Sequence, residues 1–226
     1  MNLYFLLEGK SCEPKVYPKL LTYLIPELTK VDFFDKVDRC NYYMFSSNGI
    51  PSVFTDISNA VKDINKIKKY NYFVVCVDLE EEGINELTQK IQNLCNPLKT
   101  TQAVIIIQKR CLETWFLGNR KVYTRNPANA PFIEYAKFYN VLMKDPELMK
   151  KYRGFNTTAQ FHSAYLKAML REKRLKYSKP CPDCVCEKMY IDELGKRIKE
   201  TKHLCSLKRF FEFCEKVKKE ISFING

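Results

Sequence analysis

The sequence predicts an α/β fold: a mostly parallel, four-stranded sheet flanked by helices, followed by a mostly helical and basic C-terminal region. Four short apolar runs are continuous instead of alternating with polar residues, which is typical of parallel strands covered on both faces. These runs are residues 2–7, 42–46, 72–77 and 103–107. Amphipathic helical patterns separate them, and this alternation of strand and helix predicts a doubly wound sheet.

Each of the first three strands leads towards a predicted helix with one apolar face. The first helix starts near Pro14, which the first turn of a helix accepts, and its pattern ends at Pro26. The second helix covers residues 53–70 and the third covers residues 82–94. Their apolar positions recur every three or four residues, at Ile57, Val61, Ile64 and Ile67 and at Ile84, Leu87, Ile91 and Leu94.

The pattern changes after the fourth strand, so we predict two parts. The first is an α/β domain over residues 1–118, and the second is a helical, basic region over residues 119–226 that packs on it. A loop rich in asparagine and proline comes first in the second part, and helical periodicity then returns. The helical stretches are residues 132–143, 146–151, 158–177, 188–201 and 206–221.

The composition excludes several classes of protein. A hydrophobic content of 46% is ample for a core, and no apolar stretch is long enough to cross a membrane. Glu8 interrupts the short apolar run near the N-terminus and no basic segment precedes it, so we expect no secretory signal. The ten cysteines are therefore expected to be thiols or metal ligands of a cytoplasmic protein.

The net charge of +12 is concentrated towards the C-terminus. Residues 1–140 hold 18 basic and 15 acidic side chains, an excess of 3, whereas residues 141–226 hold 20 and 11, an excess of 9. Such an excess suits a polyanion, and nucleic acid is the partner that we expect. The alternative is a basic surface without a dedicated ligand.

Acidic residues follow three of the predicted strands at the point where each strand ends. They are Glu8 after the first strand, Asp78 and Glu80 after the third, and Glu113 after the fourth. Because the carboxyl ends of parallel strands share one edge of a sheet, we expect these carboxylates to gather there and to bind Mg²⁺ or Mn²⁺. The alternative is helix capping, which is the role that we expect for the acids at residues 81–82.

Two of these segments resemble the Toprim fold, a Rossmann-like fold shared by topoisomerases, bacterial primases, OLD-family nucleases and a small RNA-maturation nuclease. The matching residues are Glu8-Gly9-Lys10 in FLLEGKS and Asp78 with Glu80 in VVCVDLEEEG. The family usually has Asp-x-Asp at this second site, whereas the second acid here is Glu80. More narrowly, LETWFL at residues 112–117 resembles the E-x-W segment of RloB-like prokaryotic Toprim proteins, which are often associated with ATPases in phage-defence loci.

The resemblance implies hydrolysis of phosphodiester bonds in nucleic acid, with Mg²⁺ or Mn²⁺ as the cofactor. It makes Asp78 and Glu80 the principal metal ligands. Glu8 would be a general acid or base, or a ligand through water, and Glu113 would complete a second metal site. Lys10 is placed to contact the phosphate, although a surface lysine is equally expected there.

Two other hypotheses stay open. The first is a non-catalytic Toprim-like subunit that binds nucleic acid or a partner ATPase. The chain has no P-loop, because EGKS lacks the upstream glycine spacing, so any ATP dependence has to come from another chain. The second is an interaction module, stabilised by zinc, within residues 178–226.

Cationic residues in two places are candidates for binding nucleic acid. Lys109 and Arg110 follow the fourth strand, where they could contact transition-state charge or the phosphate backbone. Lys167, Arg171 and Arg174 lie on the polar face of the helical pattern YLKAMLREKRLKY and predict a surface that follows phosphates. A solvated helix face is the alternative for this second group.

Three cysteines, Cys181, Cys184 and Cys186, lie within six residues in the segment PCPDCVC. A C-x-x-C pair is half of a common zinc site, and zinc prefers four nitrogen or sulfur ligands. No second C-x-x-C is present, so the fourth ligand would be His203, Cys205 or Cys214. Free thiols in a loop and redox switching are the alternatives.

Two single residues have both a structural and a functional interpretation. Trp115, the only tryptophan, is expected to pack in the core, with base stacking as the alternative. His162 lies within a helical pattern, and we expect it to be a packing or surface residue instead of a catalytic one.

Overall fold

The computed structural model describes residues 1–79 and 83–225, and it shows an α/β protein whose five-stranded parallel sheet is flanked by helices. The strands are β1 (Asn2–Leu7), β2 (Thr29–Val31), β3 (Asn41–Ser46), β4 (Tyr72–Leu79) and β5 (Gln102–Lys109). Their order in the sheet is β2-β3-β1-β4-β5, so β1 is the central strand. Continuous apolar runs correctly predicted β1, β3, β4 and β5.

The expectation of four strands was wrong, because β2 adds a fifth. This strand has only three residues, and the first two, Thr29 and Lys30, are exposed. It pairs in parallel with β3, with Thr29 opposite Asn41. A short polar strand at the edge of a sheet has no apolar run, so periodicity could not reveal it.

Helices connect the strands and form most of the chain after β5. They are α1 (Glu13–Leu24), α2 (Ser52–Ile67), α3 (Ile84–Cys95), α4 (Leu112–Phe116), α5 (Ala130–Phe138), α6 (Thr158–Arg171), α7 (Asp183–Cys186), α8 (Lys188–Glu200) and α9 (Cys205–Asn225). Short 3₁₀ helices lie at Phe34–Lys36 and Pro146–Leu148. In the part of the chain that the structure describes, no helix has the length and apolar character needed to cross a membrane.

The described residues form two compact units, and the first holds the sheet. It consists of residues 1–77, 83–107 and 210–225. Every residue of β1 is buried, as expected for a central strand, and Leu7 is the last residue of its pairing with both neighbours. Tyr17 of α1 meets Phe210 of α9 edge to face, with ring centroids 5.3 Å apart. Burial of such apolar side chains is the main stabilising contribution in this unit.

The second unit consists of residues 78–79 and 108–209, and it is mostly helical. α4 and α5 both pack against α6. Several helices are shorter than predicted. The pattern at residues 132–143 is helical only to Phe138, residues 146–151 contain a single 3₁₀ turn, and α6 ends at Arg171.

The predicted division at residue 118 differs from these units. The second unit takes in the last residues of β4 and of β5, and most of α9 belongs to the first unit. There Phe213 meets Tyr72 with ring centroids 5.3 Å apart. The C-terminal helix therefore completes the core of the α/β unit, and this long-range contact has no local signal in the sequence.

Candidate functional site

α6 presents the predicted basic face of the second unit. Thr157 caps its N-terminus, where the threonine hydroxyl accepts a hydrogen bond from the backbone N–H of Gln160 at 3.1 Å. The apolar side of the helix, which includes Phe161 and Tyr165, is fully buried. Because that side faces the core, the helical period places Lys167 and Arg171 at the surface.

The turn after α6 brings more cations towards these two. Arg174 has a φ of +58°, the left-handed conformation that often follows the last residues of a helix. Both hydrogen bonds of a Schellman motif close the turn. The Arg174 N–H donates to the Arg171 carbonyl at 2.9 Å, and the Leu175 N–H donates to the Leu170 carbonyl at 3.1 Å. The chain therefore reverses direction here, which is why the predicted helix does not continue to residue 177.

The result is a surface pocket of about 470 Å³, called the basic pocket below. It is lined by Lys167, Arg171, Arg174, Leu175, Lys176 and Tyr177. Four of these residues are exposed cations, and none of the four is in an ion pair with another residue that the structure describes. The nearest acid in the sequence, Glu172, accepts hydrogen bonds from the backbone N–H groups of Ala128 and Asn129 at 3.2 and 2.6 Å. The pocket therefore keeps a positive charge that can attract an anion.

The structure thus brings together three of the predicted cations, Lys167, Arg171 and Arg174, and adds Lys176 and Tyr177, which the prediction missed. The density of basic residues in REKRLK was a signal for a cationic surface. The sequence did not predict the reversal at Arg174. A glycine often marks the left-handed residue that ends a helix, whereas an arginine in that conformation gives no such signal.

Glu113, a predicted catalytic and metal-binding residue, is buried near the start of α4 with 1% of its surface exposed. The Tyr177 hydroxyl donates a hydrogen bond to its Oε1 at 3.2 Å, and the Lys179 ammonium lies 4.0 Å from the same oxygen. A hydroxyl and an ammonium group from the same unit therefore offset the cost of burying this negative charge. The contact also connects the basic pocket to α4, because Tyr177 lines that pocket.

In the first unit, Glu8 directly follows β1 and is half-buried. Its backbone continues the strand pairing: the Glu8 N–H donates to the Cys76 carbonyl, and the Glu8 carbonyl accepts from the Gly49 N–H, each at 3.0 Å. Lys10 is exposed two residues later. Glu8 therefore lies at the end of a central strand, as the sequence predicted.

Glu13, in the first turn of α1, is an acid near this segment that the prediction did not include. Its carboxylate lies against the backbone of Gly9, and a Cβ at Gly9 would clash with it. A side chain at residue 9 would therefore displace the Glu13 carboxylate, which is the end of a flexible side chain. The sequence shows this acid five residues after Glu8, but acids are common in the first turn of a helix and do not by themselves indicate a binding site.

Asp78 is the next-to-last residue of β4 and is half-buried. Glu80 lies outside the described residues, so its pairing with Asp78 stays a prediction. Within residues 1–79 and 83–225, no three histidine, cysteine, aspartate or glutamate side chains form a group that could hold a metal ion.

Lys109 and Arg110 lie at the end of β5 and directly after it, where the sequence predicted phosphate contacts. The Lys109 ammonium is 3.5 Å from Oε2 of the buried Glu147. Arg110 has a φ of +85° and is half-buried. Lys109 therefore compensates a carboxylate of its own unit, and it is a weaker candidate for binding phosphate than the exposed cations of the basic pocket.

Glu147 belongs to a buried polar network that the prediction missed. Its Oε1 accepts hydrogen bonds from the Ser206 N–H at 2.8 Å and from the Ser206 hydroxyl at 2.5 Å. The Ser206 hydroxyl in turn accepts the indole N–H of Trp115 at 2.7 Å. Trp115 is fully buried, so the prediction that it packs in the core is confirmed and base stacking is excluded for it.

His162 is also fully buried, as a packing residue. Its Nε2 lies 3.1 Å from the carbonyl of Met149, which can only accept, so Nε2 carries the proton. Its Nδ1 therefore accepts from the Thr114 hydroxyl at 2.7 Å. Burial of the ring lowers its pKa to about 4, and the imidazole is neutral near pH 7.

Arg197, on α8, is a fully buried cation that holds three segments of the second unit together. Its guanidinium donates to the carbonyl of Gly118 at 3.0 Å, to the carbonyl of Lys144 at 2.8 Å and to Nδ1 of His203 at 3.0 Å. Burial lowers its pKa to about 10, which leaves it charged at neutral pH. His203, a predicted zinc ligand, is thus bonded to an arginine.

The cysteine cluster lies around α7 with different exposures: Cys181 is exposed, Cys184 is half-buried and Cys186 is buried. The Cys184 thiol donates to the carbonyl of Lys176 at 3.3 Å, and burial raises its pKa. A raised pKa disfavours the thiolate that zinc and redox chemistry require. In the described part of the chain, these cysteines are not part of a group that could hold a metal ion.

Comparisons with known proteins gave no match: no model of a protein family matches this chain, and neither does any curated protein or solved structure. The Toprim resemblance therefore stays a prediction.

Proposed function

We propose that this protein binds nucleic acid through the basic pocket. The observation that carries the proposal is the convergence of four exposed cations, from the end of α6 and the turn after it, on a single pocket. Arginine guanidinium groups fit phosphate oxygens in a bidentate manner, and lysines add positive charge without a fixed geometry. Nucleic acid offers such phosphates in regular succession.

The distribution of charge supports a polyanion over a single small anion. The excess of 9 positive charges in residues 141–226 extends beyond the pocket, so an extended ligand would gain from it along its length. Glu172, the only acid between residues 167 and 179, is engaged by backbone N–H groups at the start of α5. The surface that would receive a phosphate backbone is therefore largely free of competing carboxylates.

Binding to the basic pocket can be measured by fluorescence anisotropy, with a labelled oligonucleotide titrated in EDTA at several salt concentrations. We expect Arg171→Ala and Lys176→Ala each to weaken binding by about 10-fold and to lower the salt slope by about 1, because each removes one phosphate contact. Arg209→Ala, at an exposed arginine of α9, is the matched control and should change little. Equal effects of all three variants would contradict the assignment of this pocket.

A second candidate function is metal-dependent cleavage of the bound nucleic acid. The observation that favours it is the placement of Glu8 directly after β1, the central strand of the sheet. Strand ends of this kind carry the ligand sites of open α/β sheets. The Toprim resemblance supports the same assignment, and it also supports an ATPase partner in a defence system.

Carboxylates are the ligands that Mg²⁺ and Mn²⁺ prefer, so Glu8, Asp78 and Glu80 have suitable chemistry for this role. A bound divalent cation would supply Lewis-acid activation of a phosphodiester. Among residues 1–79 and 83–225, no group of three such side chains is arranged to hold a metal ion, and Glu80 lies outside these residues. Glu113 is not included in the proposed ligand set, because Tyr177 and Lys179 already compensate it.

Cleavage can be tested with plasmid, single-stranded DNA and transfer RNA, each with Mg²⁺, Mn²⁺ or EDTA. We expect metal-dependent cleavage that falls by about 100-fold or more in Glu8→Gln and Asp78→Asn, since each keeps its shape but loses its charge. Asp32→Asn, at an exposed acid of the first unit, is the control. Cleavage that survives both site variants would exclude these residues, and no cleavage of any substrate would leave the non-catalytic binding role.

A further inference from the structure

A second pocket lies on the same helix as the basic pocket. It has a volume of about 430 Å³ and is called the polar pocket here. It is lined by Thr157, Ala159, Gln160, Ser163, Ala164, Lys167 and Lys179. Lys167 lines both pockets, so the two adjoin one another along α6.

The two pockets follow a single stripe of the helix surface. Gln160, Ser163, Lys167 and Arg171 succeed one another at intervals of three or four residues, which places them on one face. From Gln160 to Arg171 the stripe is about 16 Å long, at a rise of about 1.5 Å per residue. This length accommodates more than one nucleotide of an extended strand, because successive nucleotides are about 3.4 Å apart even when fully stacked.

The chemistry of the two pockets differs. The basic pocket offers two guanidinium groups and two ammonium groups, which suit phosphate. The polar pocket also has two lysines, Lys167 and Lys179, but it adds the hydroxyl and amide side chains of Thr157, Gln160 and Ser163 beside two alanines. The Gln160 Oε1 accepts from the Asn156 N–H and the Thr157 hydroxyl accepts from the Gln160 N–H, so these side chains face a ligand chiefly as hydrogen-bond donors. Amide and hydroxyl side chains are those that bind the edges of nucleobases. Its volume is also within the range of pockets that enclose small organic groups.

We infer that the α6 stripe binds single-stranded nucleic acid, with a phosphate in the basic pocket and the base of an adjoining nucleotide in the polar pocket. This inference rests on the proposed nucleic-acid binding and specifies its substrate class. A base inside a duplex is stacked on both faces and paired along its edge, so it cannot enter a pocket of this kind. An unpaired base is free to turn outwards and enter it.

The inference can be tested in EDTA, where cleavage plays no part, with three fluorescein-labelled probes of the same length. The probes are a single strand, the same strand with abasic sites, and the corresponding duplex. We expect the full-length chain to bind the single strand at least 10-fold more tightly than either of the other two. Heparin, a polyanion without bases, serves as a competitor whose affinity reports the cationic surface without any contribution from bases.

Ser163→Leu fills the polar pocket while keeping a residue that favours helix. We expect this variant to bind the intact single strand only as tightly as the abasic strand, with heparin affinity unchanged. Arg171→Ala should weaken every probe and heparin alike. Ser222→Leu, at an exposed serine of α9, is the matched control, and circular dichroism with thermal melting verifies that each variant is folded.

The outcomes separate the inference from the function on which it rests. Equal affinity for the single strand, the abasic strand and the duplex would overturn the inference and leave nucleic-acid binding in place. A Ser163→Leu variant that binds the single strand as wild type does would also overturn it. No binding of any oligonucleotide would overturn both proposals together.

Discussion

The two units of this protein differ in what they bury. In the first unit, the buried polar side chains among the described residues are neutral: Asn2, Ser47 and Thr101. In the second unit they include four carboxylates, an imidazole and a guanidinium: Glu113, Asp145, Glu147, Glu193, His162 and Arg197. The first unit is therefore stabilised mainly by apolar packing, whereas the second also depends on specific polar partners.

This difference has consequences for stability. Apolar burial is non-directional and tolerates small changes of shape, whereas a buried charge needs its partners in place and is costly without them. Trp115, the only tryptophan of the chain, is buried in the second unit. Its fluorescence can therefore follow the unfolding of that unit, while far-ultraviolet circular dichroism follows the whole chain.

The largest effect should come from Arg197. We expect Arg197→Met to lower the free energy of unfolding of the second unit by about 3–4 kcal/mol, because the backbone carbonyls of Gly118 and Lys144 and the ring of His203 lose a charged donor. Urea denaturation followed by Trp115 fluorescence measures this change.

Two control variants complete this test. Lys199→Met, at an exposed position of the same helix, should cost less than about 0.5 kcal/mol. Ile57→Val in the core of the first unit should cost about 0.5–1.5 kcal/mol. If Arg197→Met costs no more than Ile57→Val, the second unit does not depend on its buried cation and the contrast between the units fails.

The next effect is a loss of stability in acid. The pKa of His162 is lowered from 6.5 to about 4 in the folded chain, so between these values the unfolded state binds a proton that the folded state does not. The stabilisation by neutral His162 is complete above pH 6.5 and is lost as the pH falls towards 4, by about 3 kcal/mol in total. Burial also lowers the pKa of the half-buried His203, so its contribution to stability is likewise lost as the pH falls.

Urea denaturation at a series of pH values, followed by Trp115 fluorescence, measures this dependence. His162→Gln keeps a donor for the Met149 carbonyl and an acceptor for the Thr114 hydroxyl, but it does not titrate. The variant should therefore show a flatter dependence of stability between pH 6.5 and 4. A slope equal to that of the wild type would show that other groups cause the acid sensitivity.

The smallest effect separates stability from binding within the basic pocket. Arg174 is in the left-handed conformation, so Arg174→Gly should raise the free energy of unfolding by about 1 kcal/mol while it weakens nucleic-acid binding. Arg171→Gly removes the same charge from a helical position and should lower stability by about 1 kcal/mol. We therefore expect the two variants to shift the melting temperature in opposite directions and to lose affinity for nucleic acid alike. A loss of stability in both variants would contradict the role given to the turn.

Much of the first unit could be predicted from the sequence, because its central strands are continuous apolar runs and its helices carry regular apolar faces. The edge strand β2 could not, since its pairing depends on Asn41 and the rest of β3 and not on any apolar run of its own. The sequence likewise predicts the apolar face of α9 but not Tyr17, the residue of the first unit that it meets.

Less of the candidate site could be predicted. The cations of α6 were found from helical spacing and local charge density. The roles of Glu113 and Glu147 were not, because their partners Tyr177 and Ser206 are 64 and 59 residues away in sequence. An acid that follows a strand has the same local pattern whether it is exposed to a ligand or bonded within a helical unit. Only the tertiary contacts distinguish the two cases.

α6 has one further consequence. From Ala159 to Arg171, every position is either buried or lines one of the two pockets. Helices at a protein surface usually have a solvent-facing strip on which substitutions are nearly neutral. On α6 the exposed strip lines the two proposed binding pockets, so in a scan of all single substitutions we expect few neutral positions. Changes on the buried side should cause misfolding, and changes on the exposed side should weaken the proposed binding.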